Sequence, residues 1–248
     1  MPDSSGEKPV EKIQNATQQT AREEIASRPK REIRTLAFQV ALFSALGAFA
    51  VLTYLVKSTP SFPLDVQITN ALQSMDSPLF STTMTLISWP GFAPQSWIIP
   101  VLAALFLYSF GLHWEAVTAL VAGILPALLN TLVKQVIQRP RPAADLVHVF
   151  GILNSYSFPS GHVMFYIAFF GFLWFLAFSL LKHSWVRTLI LILLGGLIAL
   201  VGVSRIYLGQ HWASDILGAS LLGGLTLALV LQIYRWGKKR FFVRQPVP

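Results

Sequence analysis

The sequence predicts an all-α integral membrane protein: six transmembrane helices in a bundle, with an interfacial helix after the first. Three observations predict it. Of the 248 residues, 54% are hydrophobic and only 12% are Asp, Glu, Lys or Arg, about half the charged share usual in a soluble domain. The charges are also clustered, with none from Thr35 to Val56 and none from Ser77 to Trp114. Several apolar runs reach or approach the roughly 20 residues that a helix needs to cross hydrocarbon.

The elements follow in order. Residues 1–34 are polar and mixed in charge. They read as a loose or weakly helical cytoplasmic tail, and not as a cleavable signal peptide, whose apolar core would lie nearer the start. Asn15-Ala16-Thr17 fits the glycosylation pattern, but in a cytoplasmic tail it reads as a chance match. One domain then spans residues 35–236, and 237–248 form a basic cytoplasmic tail. Thr35–Val56 is the first span. The strip Asp65–Trp89 is less apolar and carries Asp65, Asn70, Gln73 and Asp76. It reads as an interfacial helix plus a re-entrant or surface piece, with a seventh span as the alternative. Pro94–Leu112, Ala116–Gln138, Gly161–Leu181, Val186–Tyr207 and Trp212–Tyr234 complete the six. Trp89, Trp114, Trp185, Trp212 and Trp236 fall near segment ends, where an amphipathic ring suits the membrane interface. Trp174, inside a span, reads as packing.

Basic residues set the orientation. Arg22, Arg28, Lys30, Arg31 and Arg34 precede the first span, Lys182 and Arg187 bracket the fourth connection, and Arg235, Lys238, Lys239, Arg240 and Arg244 follow the sixth. Six spans bring all three groups to one side, expected to be cytoplasmic. A net charge of +8 invites a nucleic-acid reading, but cations confined to termini and span edges argue against it. The absence of cysteine excludes a disulfide framework and a thiolate metal site, and leaves the redox compartment open.

Lys134, Arg139, Arg141 and Arg205 fall on the opposite side, against the charge rule. Their neighbours explain them. The third span ends in Lys134-Gln-Val-Ile-Gln-Arg-Pro-Arg-Pro142; Lys134 lies two turns from Arg141, and Pro140 and Pro142 stop the helix. The fourth opens with Phe158-Pro-Ser-Gly-His162, where Ser160 suits an N-cap and the amides near Gly161 are free to meet an anion. The fifth ends in Ser204-Arg205, Gly209 permits a tight reversal, and His211 precedes Asp215 by one turn on the same face. Alternating spans bring the three pieces to one membrane face. Unpaired cations there are expensive and call for an anionic partner. A phosphate fits.

These pieces resemble the three motifs of the type 2 phosphatidic acid phosphatase family: Lys, six residues, Arg-Pro; Pro-Ser-Gly-His; and Ser-Arg, five residues, His, three residues, Asp. Every motif position is matched, and the likeness in topology runs from the first span to the sixth. The resemblance implies that His211 is the nucleophile and forms a phosphohistidine, that Asp215 orients its ring, and that His162 protonates the leaving oxygen and then activates water. Lys134, Arg141 and Arg205 would surround the phosphoryl oxygens, with Ser160 and the Gly161 amide adding hydrogen bonds. Ser204 is a further, supporting candidate. No metal or other cofactor is expected, because the cations supply the positive charge and hard oxygen ligands are scarce.

Arg139 fits no family position and is expected to contact substrate or lipid headgroups, or neither. His148 reads as a surface residue, and His113 and His183 as lying at the far face. Asp145 is a candidate to cap or orient the loop from Ala143 to Ser157. Pro126 and Asn130 mark a kink, a polar helix contact or a tolerated irregularity. The expected partner is a membrane lipid phosphate, with undecaprenyl diphosphate favoured over phosphatidic acid and phosphatidylglycerol phosphate, and the site facing away from the cytoplasm. A lipid phosphotransferase using the same histidine is one alternative. A non-catalytic lipid-phosphate binder or transporter is the other, although a transporter would place its polar residues nearer the midplane. The paired glycines Gly195-Gly196 and Gly223-Gly224, with Gly218, suit close helix packing within or between monomers, and leave the oligomeric state open.

Overall fold

A computed structural model of the chain describes residues 9–75, 77–151 and 153–242. Side chains before Ile33, and those of Arg34, Asp76 and Arg244, lie outside the described residues, and with them the N-terminal basic group and Asn15–Thr17. The fold is all-α: α1 (Pro9–Ser58), α2 (Pro63–Gln73), α3 (Pro78–Ser88), α4 (Gln95–Ser109), α5 (His113–Ile137), α6 (Gly161–Phe165), α7 (Gly171–Leu180), α8 (Trp185–Tyr207) and α9 (Ala213–Gly237). A π-helical turn, Tyr166–Phe170, joins α6 to α7 as one span.

Among the described residues, five helical segments are long and apolar enough to cross a membrane: Thr35–Ser58, His113–Ile137, Gly161–Leu180, Trp185–Tyr207 and Ala213–Phe241. This is a multi-pass membrane protein. The expected second span differs in form. Its helix α4 has 15 residues, roughly 23 Å of helix against a hydrocarbon core of about 30 Å. It crosses only together with α3, from which it is bent by 63°. The bend falls at Trp89-Pro90-Gly91 and Pro94, where proline removes helix donors and fixes φ. The strip Asp65–Trp89 therefore divides. Its first half is the short amphipathic helix α2, and its second half joins the broken span.

The continuous segment Gly161–Leu180 is the most enclosed of the five, with 56% of its apolar stretch buried. Phe165, Tyr166, Phe169, Phe170 and Phe172 fill the core against α5, α8 and α9, with Val201, Ala219 and Val230 behind them. Outward faces carry exposed Leu, Ile, Phe and Val, the surface that lipid requires. Most of the interfacial tryptophans behave as expected, with Trp89, Trp185 and Trp236 exposed. Trp212 does not: it is 2% exposed, because it is the N-cap residue of α9 and turns inward beneath the site. At the far end Glu115 on α5 accepts from Tyr234 Oη (2.9 Å) and pairs with Lys238 Nζ (2.6 Å). That clasp fixes α9 to α5 and leaves their other ends to hold the site.

Candidate active site

The C-terminal end of α5, the N-terminal end of α6, the C-terminal end of α8 and the N-terminal end of α9 meet at one end of the bundle, with α2 and the break after α3 beside them. Helix α5 closes with Gln138 in the left-handed region (φ 55°), its N–H donating to Lys134 O at 3.0 Å. The chain leaves the helix abruptly there, and the Pro140 and Pro142 rings keep the exit extended. Ser157 N–H donates to Arg139 O at 2.8 Å, which draws the start of α6 toward this exit. The reversal between α8 and α9 uses Gly209 at φ 63°. A Cβ there would lie 2.1 Å from His148 O, so the position needs glycine twice over.

His211 sits in this reversal, 2% exposed, with its two ring nitrogens in opposite surroundings. Nε2 lies 3.3 Å from an Arg141 guanidinium nitrogen. Nδ1 lies 3.4 Å from Asp215 Oδ2 and 3.5 Å from Ser157 Oγ. Burial, and then the charges of Arg141, Lys134 and Arg205, hold the imidazole well below its ordinary pKa. A neutral ring with its proton on Nδ1 toward the carboxylate leaves the Nε2 lone pair facing Arg141. Asp215 is wholly buried and saturated: Oδ1 accepts from Arg139 at 2.5 Å, and Oδ2 from the Trp212 amide at 2.9 Å and from Ser157 Oγ. The Trp212 contact makes Asp215 the N3 carboxylate that caps its own helix.

Three cations stand near the imidazole, Arg141 at Nε2 and Lys134 and Arg205 close enough to act on its charge. Lys134 Nζ donates to Tyr156 O at 2.6 Å. Arg141 donates to Ser155 O at 2.7 Å and Gln210 O at 2.5 Å. Arg205, wholly buried, donates to Ser88 Oγ at 3.2 Å and to Gln210 Oε1, and lies 5.0 Å over the Phe92 ring. Carbonyls and hydroxyls orient all three, and among the described residues none has a carboxylate within ion-pair distance. Desolvated positive charge of this kind favours an anion strongly.

Asn130 holds the Pro-Ser-Gly-His turn by donating to Pro159 O at 2.8 Å, so the polar residue in the third span is a helix contact. Ser160 occupies the N-cap position, but its hydroxyl makes no capping bond. Its Oγ, His162 Nε2 and Arg205 Nε are buried polar atoms without a protein partner among the described residues. His162 stands edge-on to Phe92 at 4.6 Å between ring centroids. Gly91 presses on the same ring, where a Cβ would come within 2.3 Å of Cδ2. A cleft of ≈190 Å³ lined by Gly91, Trp97, Asn130, Gly161 and His162 opens between α4, α5 and α6. A cavity of ≈500 Å³ beside Gln73, His148 and Tyr207 shares no motif residue.

Of the readings open for Arg139, the structure gives the one in which it contacts neither substrate nor headgroup. It touches neither solvent nor the outer surface; it is 1% exposed and bridges Asp215 and Asp65, the latter at 2.9 Å. Asp65 and Ser157 are the residues the sequence did not single out for the site. Ser157 carries no motif signal, whereas a buried-in-sequence carboxylate after Phe62-Pro63 was visible as an isolated charge. Ser204 bonds to Ser88 Oγ at 2.6 Å, the hydroxyl that accepts from Arg205, and donates to Met84 O at 2.5 Å, which ties it to Arg205 through Ser88 and fastens α8 to α3. His148 and Asp145 are exposed. The loop beside them is held from α2, where Gln73 donates to His148 O (2.7 Å) and Tyr207 O (2.8 Å). Among the described residues no group of three or more His, Asp or Glu side chains is placed to hold a metal ion.

Residues 115–239 match the PAP2 superfamily, and the chain is 33% identical over 198 residues to phosphatidylglycerophosphatase B of Bacillus subtilis (strain 168), covering 76% of this chain and 90% of that one. The chain belongs to the PAP2 superfamily. It is a membrane lipid-phosphate phosphatase of that superfamily. Among solved structures, the PAP2-type phosphatidylglycerolphosphate phosphatase of Bacillus subtilis superposes with a TM-score of 0.70 at 27% identity, over 82% of this chain and 98% of that one. The LpxE structure of Aquifex aeolicus gives a TM-score of 0.52 at 21% identity, over 70% of this chain and 98% of that one. It shares the PAP2 fold.

Proposed function

We propose that the chain releases phosphate from a membrane lipid through a phosphohistidine on His211, without a metal, and that phosphatidylglycerol phosphate and undecaprenyl diphosphate are its substrates. The observation that carries the reading is the opposed environment of the His211 ring, a carboxylate behind Nδ1 and the Arg141 guanidinium before Nε2. The Nε2 lone pair attacks phosphorus while Lys134, Arg141 and Arg205 hold the non-bridging oxygens and take up charge in the transition state. The bond from phosphorus to the leaving oxygen breaks, the ester oxygen of a lipid monophosphate or the bridging oxygen of a lipid diphosphate attacked at its terminal phosphorus, and His162 delivers a proton to that oxygen. His162 then takes a proton from water, the water oxygen attacks phosphorus, the P–N bond breaks, and inorganic phosphate leaves with His211 restored. Asp215 keeps the Nδ1 proton in place throughout. Ser160 Oγ and the Gly161 amide complete the oxygen cage.

The three cations supply the charge that a divalent ion supplies in other phosphoryl-transfer sites. The named activity of the Bacillus subtilis relatives supports phosphatidylglycerol phosphate; the short six-span form with a site at helix ends supports undecaprenyl diphosphate. Residues 35–236 form the catalytic domain between cytoplasmic tails, with the site on the extracytoplasmic side. The test is phosphate release by the purified protein in mild detergent with chelator, across both lipids, phosphatidic acid and a soluble phosphate ester. Release that is abolished in His211→Ala is expected. Equal release by that variant overturns the nucleophile, and no release from any substrate moves the reading to a transferase or a binder.

A further inference from the structure

We infer that Arg139, clamped between Asp65 and Asp215, is a positioning residue that sets the orientation of Asp215 and the charge it presents to His211. The inference rests on the reading of His211 as the nucleophile and extends that pair backward by two residues. Arg139 uses its guanidinium almost completely: one terminal nitrogen donates to Asp215 Oδ1 (2.5 Å) and Ser214 Oγ (2.7 Å), the other to Asp65 Oδ2 (2.9 Å), and Nε to Pro60 O (3.0 Å). Its side chain and that of Asp215 are 0% exposed, and that of Asp65 is 3% exposed. Asp65 is tied in turn to the start of α9, accepting from Ser214 N (2.8 Å) and Ser214 Oγ (2.7 Å), while it caps α2 through Phe62 N (3.2 Å).

The two oxygens of Asp215 are thereby divided. Oδ1 is committed to Arg139, and only Oδ2 faces His211. A carboxylate fixed by a planar fork cannot rotate away from the ring, and the guanidinium draws part of its charge off the imidazole. Asp65 offsets Arg139 in the opposite sense. The buried chain of alternating charges, His211, Asp215, Arg139 and Asp65, therefore tunes how readily His211 binds a proton. A packing role alone gives no such alternation.

Removing either outer charge moves the proton affinity of His211 in opposite directions. Arg139→Gln frees Asp215 to hold an imidazolium, so the acidic limb of kcat/KM moves to higher pH. Asp65→Asn leaves Arg139 uncompensated beside Asp215, so the limb moves to lower pH. The other groups facing His211 stay in place in both variants: Arg141 and Lys134 from α5 and its exit, Arg205 from α8, His162 from α6 and Ser157 from the loop. Each shift is expected to be on the order of half a pH unit to one unit, with kcat for Arg139→Gln reduced about tenfold or more and Arg139→Lys recovering part of it.

The experiment records kcat/KM against pH for the full-length protein in detergent with chelator, using phosphatidylglycerol phosphate, and checks each variant by thermal melting. Wild-type activity that disappears in His211→Ala is the entry condition, and its failure strikes the catalytic reading and not the clamp. With that condition met, opposed shifts establish the inference. Coincident limbs, or shifts of the same sign, overturn it. Should Arg139→Gln not fold, the near-isosteric Asp65→Asn decides alone: a downward shift supports the clamp, and no shift or an upward one refutes it.

Discussion

Asp215→Asn is the sharpest perturbation of the proposed chemistry, because it removes one charge and leaves the shape. As the P–N bond forms, positive charge grows on the His211 ring, and Asp215 Oδ2 lies 3.4 Å from Nδ1. Two unit charges at that separation attract by roughly 5 kcal/mol at an effective dielectric of about 20. The asparagine dipole returns a part of this. Arg141, Lys134 and Arg205 all add positive charge near the ring, and among the described residues no second carboxylate pairs with the imidazole. A loss of about 4–5 kcal/mol in the transition state corresponds to a fall of ~10³–10⁴ in rate. The loss should appear in kcat with KM little changed, since the charge develops only during attack. Breaking a buried pair completely costs about 3–5 kcal/mol in stability, but Arg139 keeps Asp65 at 2.9 Å, so the variant should fold. Phosphate release and rapid-quench trapping of acid-labile phosphoprotein measure both effects. A folded variant that retains more than a tenth of wild-type kcat would refute the role given to Asp215.

Gly91→Ala should displace the His162 ring, since the added Cβ would come within 2.3 Å of it; a fall in kcat of about 10²-fold without loss of fold is expected, and unchanged turnover would remove His162 from the reaction. Phe158→Ala empties a fully buried site beneath the Pro-Ser-Gly-His turn and should cost about 3–5 kcal/mol, read as a lowered melting temperature; a shift under a degree would contradict the packing. The pH profile tests the depressed pKa of His211. The attacking ring must be neutral, so a lowered pKa extends activity downward, and the acidic limb of kcat/KM, corrected for ionisation of the substrate, should lie below about pH 6.5. A limb near 7 or above would show that burial and the three cations do not govern the ring. The same sign applies to stability: the unfolded chain takes up a proton near 6.5 where the folded site does not, so the contribution of His211 is present above that pH and is lost as pH falls toward its folded value.

What the sequence made legible was set by how local the physics is. Apolar runs report transfer into lipid residue by residue, so the long helices could be read with ends within a few positions of α5, α8 and α9. The second span could not, because its break depends on Trp89-Pro90-Gly91 and Pro94 acting on a helix of only 15 residues, and composition does not distinguish a bent pair from a surface strip. The motif residues were legible for a similar reason: a lysine two turns before an arginine, and an aspartate one turn after a histidine, are spacings along single elements. Arg139 and Asp65 are separated by 74 positions, and their pairing is decided by where α2 folds against α9. An arginine beside Arg141 reads as one more surface cation until its counter-charge arrives from a distant helix. Burial then reverses its meaning. In the same way Ser160 looked like a cap by position, yet Asp215 does the capping work on α9 while the Ser160 hydroxyl is held free of its own helix. At the proposed site, local obligations have been taken over by neighbours: the Pro159 carbonyl by Asn130, the Arg205 guanidinium by Gln210, and one oxygen of Asp215 by Arg139. That division of labour is a property of the packed end of the bundle and has no one-dimensional signature.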